Sequence, residues 1–299
     1  MLPDLAELVA LRGAAQGLSL HAHRPALARL MGGHRSAQRG RGLEFEEVRL
    51  YTAGDDARTI DWRVTARRGR PHTKLFREER ERPVWLLPKY IPGCRSGSRR
   101  QLKSAVLVRA AALLAWVAVG GGDKLGAVFA GTGGQPRILP PRARQAGVLP
   151  VLEALVEEQP RAPAAPNPGG LAAALKSLQP LVQPGGLILI LSDFAGLDAQ
   201  AEATLAAIAA RSDVRLLRIT DALEANGLPA GRYRVGVPGR LWWMDGQSSQ
   251  TAWAAAWRAR EQQLVDLARR LRLPLTRLDT ADPVEDVLPP LLREPAWAA

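Results

Sequence analysis

The sequence predicts an α/β protein: a doubly wound, mostly parallel sheet with helices on both faces, plus a small, mostly β appendage near the N-terminus. Three observations predict it. From Val84 onward, short apolar segments alternate with helical ones across short loops, the pattern of a parallel sheet covered on both sides. Residues 187–191 read Leu-Ile-Leu-Ile-Leu, an unbroken apolar run of the kind a fully buried strand carries. Residues 41–83 are charge-rich and poor in apolar side chains, so they form a separate small β-rich region that follows an N-terminal helical segment and linker, 1–40.

The elements follow in order. Residues 4–17 have rough three-to-four apolar spacing and close at Gly13 or Gly17, a helix. Gly32-Gly33 and Arg39-Gly40-Arg41-Gly42 mark a link. Residues 44–51 alternate as a strand, Gly54-Asp55-Asp56 is a turn, and 61–65 and 72–78 are strand pieces around Arg68-Gly69-Arg70-Pro71. The main domain then runs 84–299. Its strands are 84–87, 123–130, 137–139, 187–191, 214–219 and 275–278. Its helices are 101–119, 148–157, 171–178, 199–210, 252–271 and 283–292, and residues 222–249 form an inserted hairpin. In such a sheet, ligands bind beyond the C-terminal strand ends, near the point where strand order reverses. The loops there are 88–100, 168–170 and 192–198.

Composition excludes several function classes. The single cysteine, Cys94, rules out an intrachain disulfide and a thiolate zinc cluster. The formal charge of +12 would attract nucleic acid, yet only five of the basic residues are lysines (Lys74, Lys89, Lys103, Lys124 and Lys176) and no nucleic-acid-binding signature accompanies the charge. A basic nucleic-acid-binding protein is kept as the alternative reading. No apolar run reaches the ~18 residues of a membrane span, and the nearest, 105–119, contains Arg109 and reads as a buried helix. Met1-Leu2-Pro3-Asp4 has no basic segment leading into an apolar run, so no signal peptide is expected. The expectation is a soluble cytoplasmic protein with no membrane insertion. His21, His23, His34 and His72 lack paired metal spacing, and there is no Gly-x-Ser-x-Gly elbow, Walker loop or dinucleotide fingerprint.

One stretch carries a resemblance. Gly42-Leu43-Glu44-Phe45, then Arg49-Leu50-Tyr51-Thr52-Ala53-Gly54-Asp55-Asp56-Ala57-Arg58-Thr59-Ile60-Asp61-Trp62, Ala66-Arg67, Lys74 and Glu79-Arg80 resemble the signature of the bacterial family known as domain of unknown function 58. The resemblance extends over nearly everything after about residue 30. It implies a von Willebrand factor A-like main domain and a genomic association with AAA+ ATPases of the MoxR type. Members that keep a metal site carry Asp-x-Ser-x-Ser after the first strand, a threonine on a second loop and an aspartate on a third, a set of hard oxygen donors suited to Mg²⁺. Carried over by spacing, those positions fall here on Lys89, Ile91 and Gly93, and near Gly169; only Asp193 matches.

The expected function is therefore non-catalytic: an adaptor for a MoxR-type AAA+ ATPase and an unidentified protein client, with no cofactor, a degenerate metal site, and Lys89 paired with Asp193. Asp55, Asp56, Arg58, Asp61, Trp62 and Arg67 are expected to form a partner-binding face or an ion-paired clamp between the two regions, because arginine meets carboxylates bidentately.

Overall fold

The computed structural model describes residues 2–20, 43–52, 57–78, 82–90, 97–129, 136–159, 170–237 and 240–293. The chain divides into two compact units, one of residues 34–81 and one of residues 1–33 with 82–299.

In the small unit, β1 (Leu43–Leu50) pairs antiparallel with β2 (His72–Glu78), from Leu43 opposite Glu78 to Leu50 opposite His72, with an irregularity between Phe45 and Glu47. Between them lies a helical segment the strand pattern does not anticipate. After a short 3₁₀ turn (Ala57–Thr59), residues 62–68 form helix α2 (Trp62–Arg68) rather than a strand piece. The reason is capping. The Asp61 carboxylate accepts from the backbone N–H groups of Arg63 and Val64 at 3.0 and 3.1 Å, satisfying two orphan donors of the first turn. Gly69 ends the helix at φ 69°, a left-handed conformation that glycine adopts without strain.

The large unit is built on a six-stranded sheet. Its strands are β3 (Pro83–Pro88), β4 (Lys124–Phe129), β5 (Arg137–Arg142), β6 (Leu187–Ser192), β7 (Asp213–Thr220) and β10 (Leu275–Asp279). The spatial order is β10-β7-β6-β3-β4-β5, all parallel except the edge strand β5, which runs antiparallel to β4. Side chains alternate between two cores, as the two-residue period of a strand requires. Val84 and Leu86 of β3, with Leu187, Leu189 and Leu191 of β6, enter one core. Trp85 and Leu87, with Ile188 and Ile190, enter the other.

The first core is covered by α1 (Leu5–Ala10), α3 (Lys103–Gly120), α4 (Gln145–Glu157) and α9 (Val284–Arg293). The second is covered by α5 (Gly170–Leu178), α6 (Ala199–Ala209) and α8 (Gly246–Leu271). Helix α3 is long and apolar enough by composition to cross a membrane, but 83% of it is buried inside the protein, so it is a core helix, as its sequence suggested. The N-terminal segment belongs to this core. Leu8 is fully buried, and the Trp116 indole N–H donates to its carbonyl at 3.0 Å.

The hairpin is narrower than residues 222–249. It consists of β8 (Arg232–Val237) and β9 (Arg240–Asp245), flanked by α7 (Ala222–Asn226) and by α8, which starts at Gly246. Both flanking helices begin at a capping aspartate: Asp221 accepts from Leu223 N at 2.9 Å and Asp245 from Ser248 N at 2.8 Å.

Candidate functional site

From β3 the chain proceeds through β4 and β5 on one side of the sheet, then returns to β6 on the other. The order therefore reverses between β3 and β6, and the crevice beyond their C-terminal ends is where a sheet of this kind places a ligand. Lys89 follows β3 and Asp193 follows β6. Ile91, Gly93, Cys94 and Gly169 lie outside the described residues, as do Asp55 and Asp56 of the signature.

Lys89 is buried, its backbone N–H pairs with Leu191 O at 2.8 Å, and its ammonium donates to the Tyr90 carbonyl at 3.0 Å. Asp193 sits in a tight turn. Ser192 Oγ accepts from Phe194 N at 3.0 Å, Asp193 Oδ1 accepts from Ala195 N at 2.9 Å, and Phe194 has φ 58°. A bulky residue in the left-handed region is strained, and such residues cluster where structure is held for a purpose.

Among the described ion pairs, Asp193 meets Lys103 rather than the expected Lys89. The Lys103 ammonium lies 3.3 Å from Asp193 Oδ2 and 2.6 Å from Glu224 Oε1, and its side chain is 0% exposed. Two effects oppose that position. Burial strips a strongly hydrated charge of water, and Lys103 opens helix α3, where the helix dipole repels a cation. The two carboxylates offset both.

Glu224 carries the strain of the cluster. Burial pushes its carboxyl above the ordinary range, Lys103 pulls it back, and Asp193 and Asp221 push it up further. Its Oε2 is buried without a hydrogen-bond partner, a defect of about 1–3 kcal/mol.

Around this cluster is a cleft of about 420 Å³, lined among others by Asp193, Arg218, Glu224, Trp253, Trp257 and Arg260. Arg218, on β7, is 4% exposed and stacks on Trp257 at 4.7 Å. It pairs with Glu261 at 2.5 Å, and Arg277 pairs with the same carboxylate. Burial foremost lowers the Arg218 pKa, an effect that Glu261 counters. The Trp253 indole donates to Glu224 O at 2.8 Å, fixing the start of the hairpin insertion to α8.

Asp221, at the end of β7, ties three loops together. It accepts from Ser98 N at 2.7 Å, Ser98 Oγ at 2.6 Å, Thr280 Oγ1 at 2.5 Å and Leu223 N at 2.9 Å. Burial raises its pKa, but these donors outweigh burial and hold the carboxyl below its ordinary value.

A divalent ion does not fit this constellation. Mg²⁺ requires several oxygen donors in near-octahedral array. Here the one matching carboxylate already meets an ammonium, and a second lysine follows the first strand. Among the described residues no group of three or more His, Cys, Asp or Glu side chains could hold a metal. A larger cavity, about 750 Å³, lies around Arg12, Trp116 and Arg144, and its described lining offers no acid, hydroxyl or thiol.

On the small unit, Asp61 is used locally as a helix cap, Trp62 is 70% exposed, and Arg58 and Arg67 are exposed. Sequence reasoning passed over Lys103, Glu224, Arg218 and Asp221. One signal was present: Asp221-Ala222-Leu223-Glu224 has the Asp-x-x-Glu spacing of a capping box. Nothing local marked Lys103, whose partners lie 90 and 121 positions away.

Comparison with known proteins gives a family match and weaker likenesses. The model of the family described as "Protein of unknown function DUF58" matches residues 47–262. An uncharacterized protein of Mycobacterium tuberculosis and one of Mycobacterium bovis are each 34% identical over 192 residues, 64% of this chain and 59% of theirs. The chain thus spans less than two thirds of the length of these curated relatives.

Among solved structures, the conserved hypothetical protein BatB of Bacteroides thetaiotaomicron aligns at TM-score 0.44 and 13% identity, over 70% of this chain and 96% of its own. An aerotolerance-related membrane protein of Bacteroides fragilis aligns at TM-score 0.42 and 13% identity, over 71% and 98%. An uncharacterized membrane-spanning protein of Vibrio fischeri aligns at 0.21 and 16% identity, over 69% and 94%. The cytoplasmic placement expected from the sequence does not stand against neighbours described as membrane proteins. Those words describe those proteins.

Proposed function

We propose, from the premise that this chain belongs to the DUF58 family of proteins of unknown function, that it is a non-catalytic interaction protein whose large unit is von Willebrand factor A-like. In this reading a buried lysine takes the place of the metal ion at the switch point. The observation that carries it is Lys103, 0% exposed and bridging Asp193 and Glu224. Its charge sits beside the one carboxylate that matches the metal-binding pattern. The doubly covered sheet and the reversal of strand order between β3 and β6 support the same reading.

The partner implied by the family resemblance is a MoxR-type AAA+ ATPase, with a protein client handled by the pair. The ATPase supplies the chemistry and this chain supplies a surface. On the small unit, the exposed Trp62 with Arg58 and Arg67 offers a docking face, since tryptophan and arginine are the side chains most enriched at binding hot spots.

The test is capture from a native lysate of the encoding organism, with the full chain immobilised, in parallel with Mg²⁺ and with EDTA. An AAA+ ATPase is expected in both, and Trp62→Ser is expected to reduce its capture about tenfold, the loss of one hot spot. Consistent failure to retain an AAA+ ATPase refutes the partner. Retention with Mg²⁺ only refutes the metal-independent grip.

A further inference from the structure

Among the described residues, the β8–β9 hairpin carries large apolar side chains that stand exposed. Leu241, Trp242 and Trp243 are 60, 45 and 65% exposed. Consecutive strand residues point to opposite faces, so apolar surface is open on both faces of the arm. The register places Gly236 opposite Leu241, Val235 opposite Trp242 and Arg234 opposite Trp243. One face therefore presents Leu241 and Trp243 beside Arg232 and Arg234, with the Arg232 guanidinium 5.5 Å from the Trp243 ring centre. The other presents Trp242, with Arg240 two residues before it. Three arginines stand against one acid, Asp245, and that acid is engaged as the cap of α8.

Scattered exposed apolar residues are ordinary, but a contiguous run with two tryptophans marks an interaction surface. Two features select the occupant. The charge is cationic, so the occupant is anionic. The apolar surface is two-sided, whereas a nucleic-acid base stacks on one aromatic face and a protein groove covers one side of a strand pair. Immersion in an apolar medium covers both sides together. Tryptophan favours the boundary between lipid headgroups and acyl chains, and arginine reaches from that depth to phosphate.

We propose that the β8–β9 hairpin is an interfacial arm that seats Leu241, Trp242 and Trp243 in the surface of an anionic lipid bilayer, with Arg232, Arg234 and Arg240 on the lipid phosphates. Residues 241–243 cover ~7 Å of strand, which matches the ~5–10 Å depth of an interfacial element. The six residues of β9 fall short of the ~9–11 a spanning strand needs, so the arm lies in the interface and does not cross.

The experiment is flotation of the full-length chain with vesicles of phosphatidylcholine alone and of phosphatidylcholine with phosphatidylglycerol, repeated with vesicles carrying brominated acyl chains. The wild type is expected to float with the anionic vesicles and to lose tryptophan fluorescence to the brominated lipid. The double variant Trp242→Ser, Trp243→Ser, altered only at exposed positions, is expected to partition at least about tenfold less and to escape quenching. Arg232→Ala with Arg234→Ala is expected to weaken binding mainly at low salt.

Equal flotation of the tryptophan variant would mean that the overall charge adsorbs the protein, and the arm would be refuted. Absence of flotation by the wild type overturns the proposal outright. Tryptophan-dependent capture of a single-stranded oligonucleotide without vesicle binding would overturn it in favour of a nucleic-acid platform.

Discussion

Replacing Lys103 with methionine is expected to destabilise the large unit by about 3–5 kcal/mol, the scale of removing one partner from a buried ion cluster. The fully buried ammonium is the counter-charge of both Asp193 and Glu224. Methionine fills similar space but leaves two carboxylates facing each other. Urea melts of the full chain measure the effect.

The pH dependence follows from Glu224. Its folded pKa lies above the ordinary value of 4.5, so the folded state binds its proton more tightly than the unfolded chain does. The stability linked to that proton is fully present below the ordinary value and is lost as pH rises through the folded one. Without Lys103 the folded pKa rises further. The penalty of the substitution should therefore be larger near pH 8 than near pH 4. Adding Glu224→Gln should recover part of it. A change under about 1 kcal/mol at both pH values, the scale of an ordinary substitution, would show that the cluster is not what holds the crevice.

The second large effect is at Asp221. Asp221→Ala removes the acceptor for Ser98, Thr280 and the first turn of α7 together, and should cost about 3 kcal/mol or more, since hydrogen bonds to a charged group contribute about 1.5–3 kcal/mol each and do not add fully. Here the sign is the opposite of Glu224. Because the Asp221 pKa is held below its ordinary 3.8, its contribution is complete above that value and is lost as pH falls through the folded value. Wild-type stability should fall below about pH 4, and the variant should show a shallower fall there. Identical acid profiles would assign the latch to other groups.

How far the sequence could be read depended on the range of the interaction behind each feature. The sheet was legible because strands buried on both faces are written as local apolar runs: residues 187–191 announced β6, and the structure buries all of β6. Helix α2 was misread because the charged segment after Asp61 has no apolar period, while the capping carboxylate that starts it decides the matter. The hairpin was drawn too wide for the same reason, with Asp221 and Asp245 each starting a helix at its borders.

The crevice was legible only at Asp193 and Lys89, which follow strands. Lys103 read as an unremarkable lysine at a helix start, and only the fold brings it to Asp193 and Glu224. Arg218 was likewise hidden inside a strand pattern, although Trp257 and Glu261, which hold it, lie on one stretch of α8.

Mg²⁺ titration of the full-length chain followed by calorimetry bears most directly on the internal-lysine crevice. With Lys103 in place of a metal ion, no saturable binding is expected at micromolar or low-millimolar Mg²⁺, and Asp193→Ala should leave the trace unchanged. Saturable micromolar binding abolished by Asp193→Ala would contradict it, because the carboxylate would then serve a metal rather than the lysine.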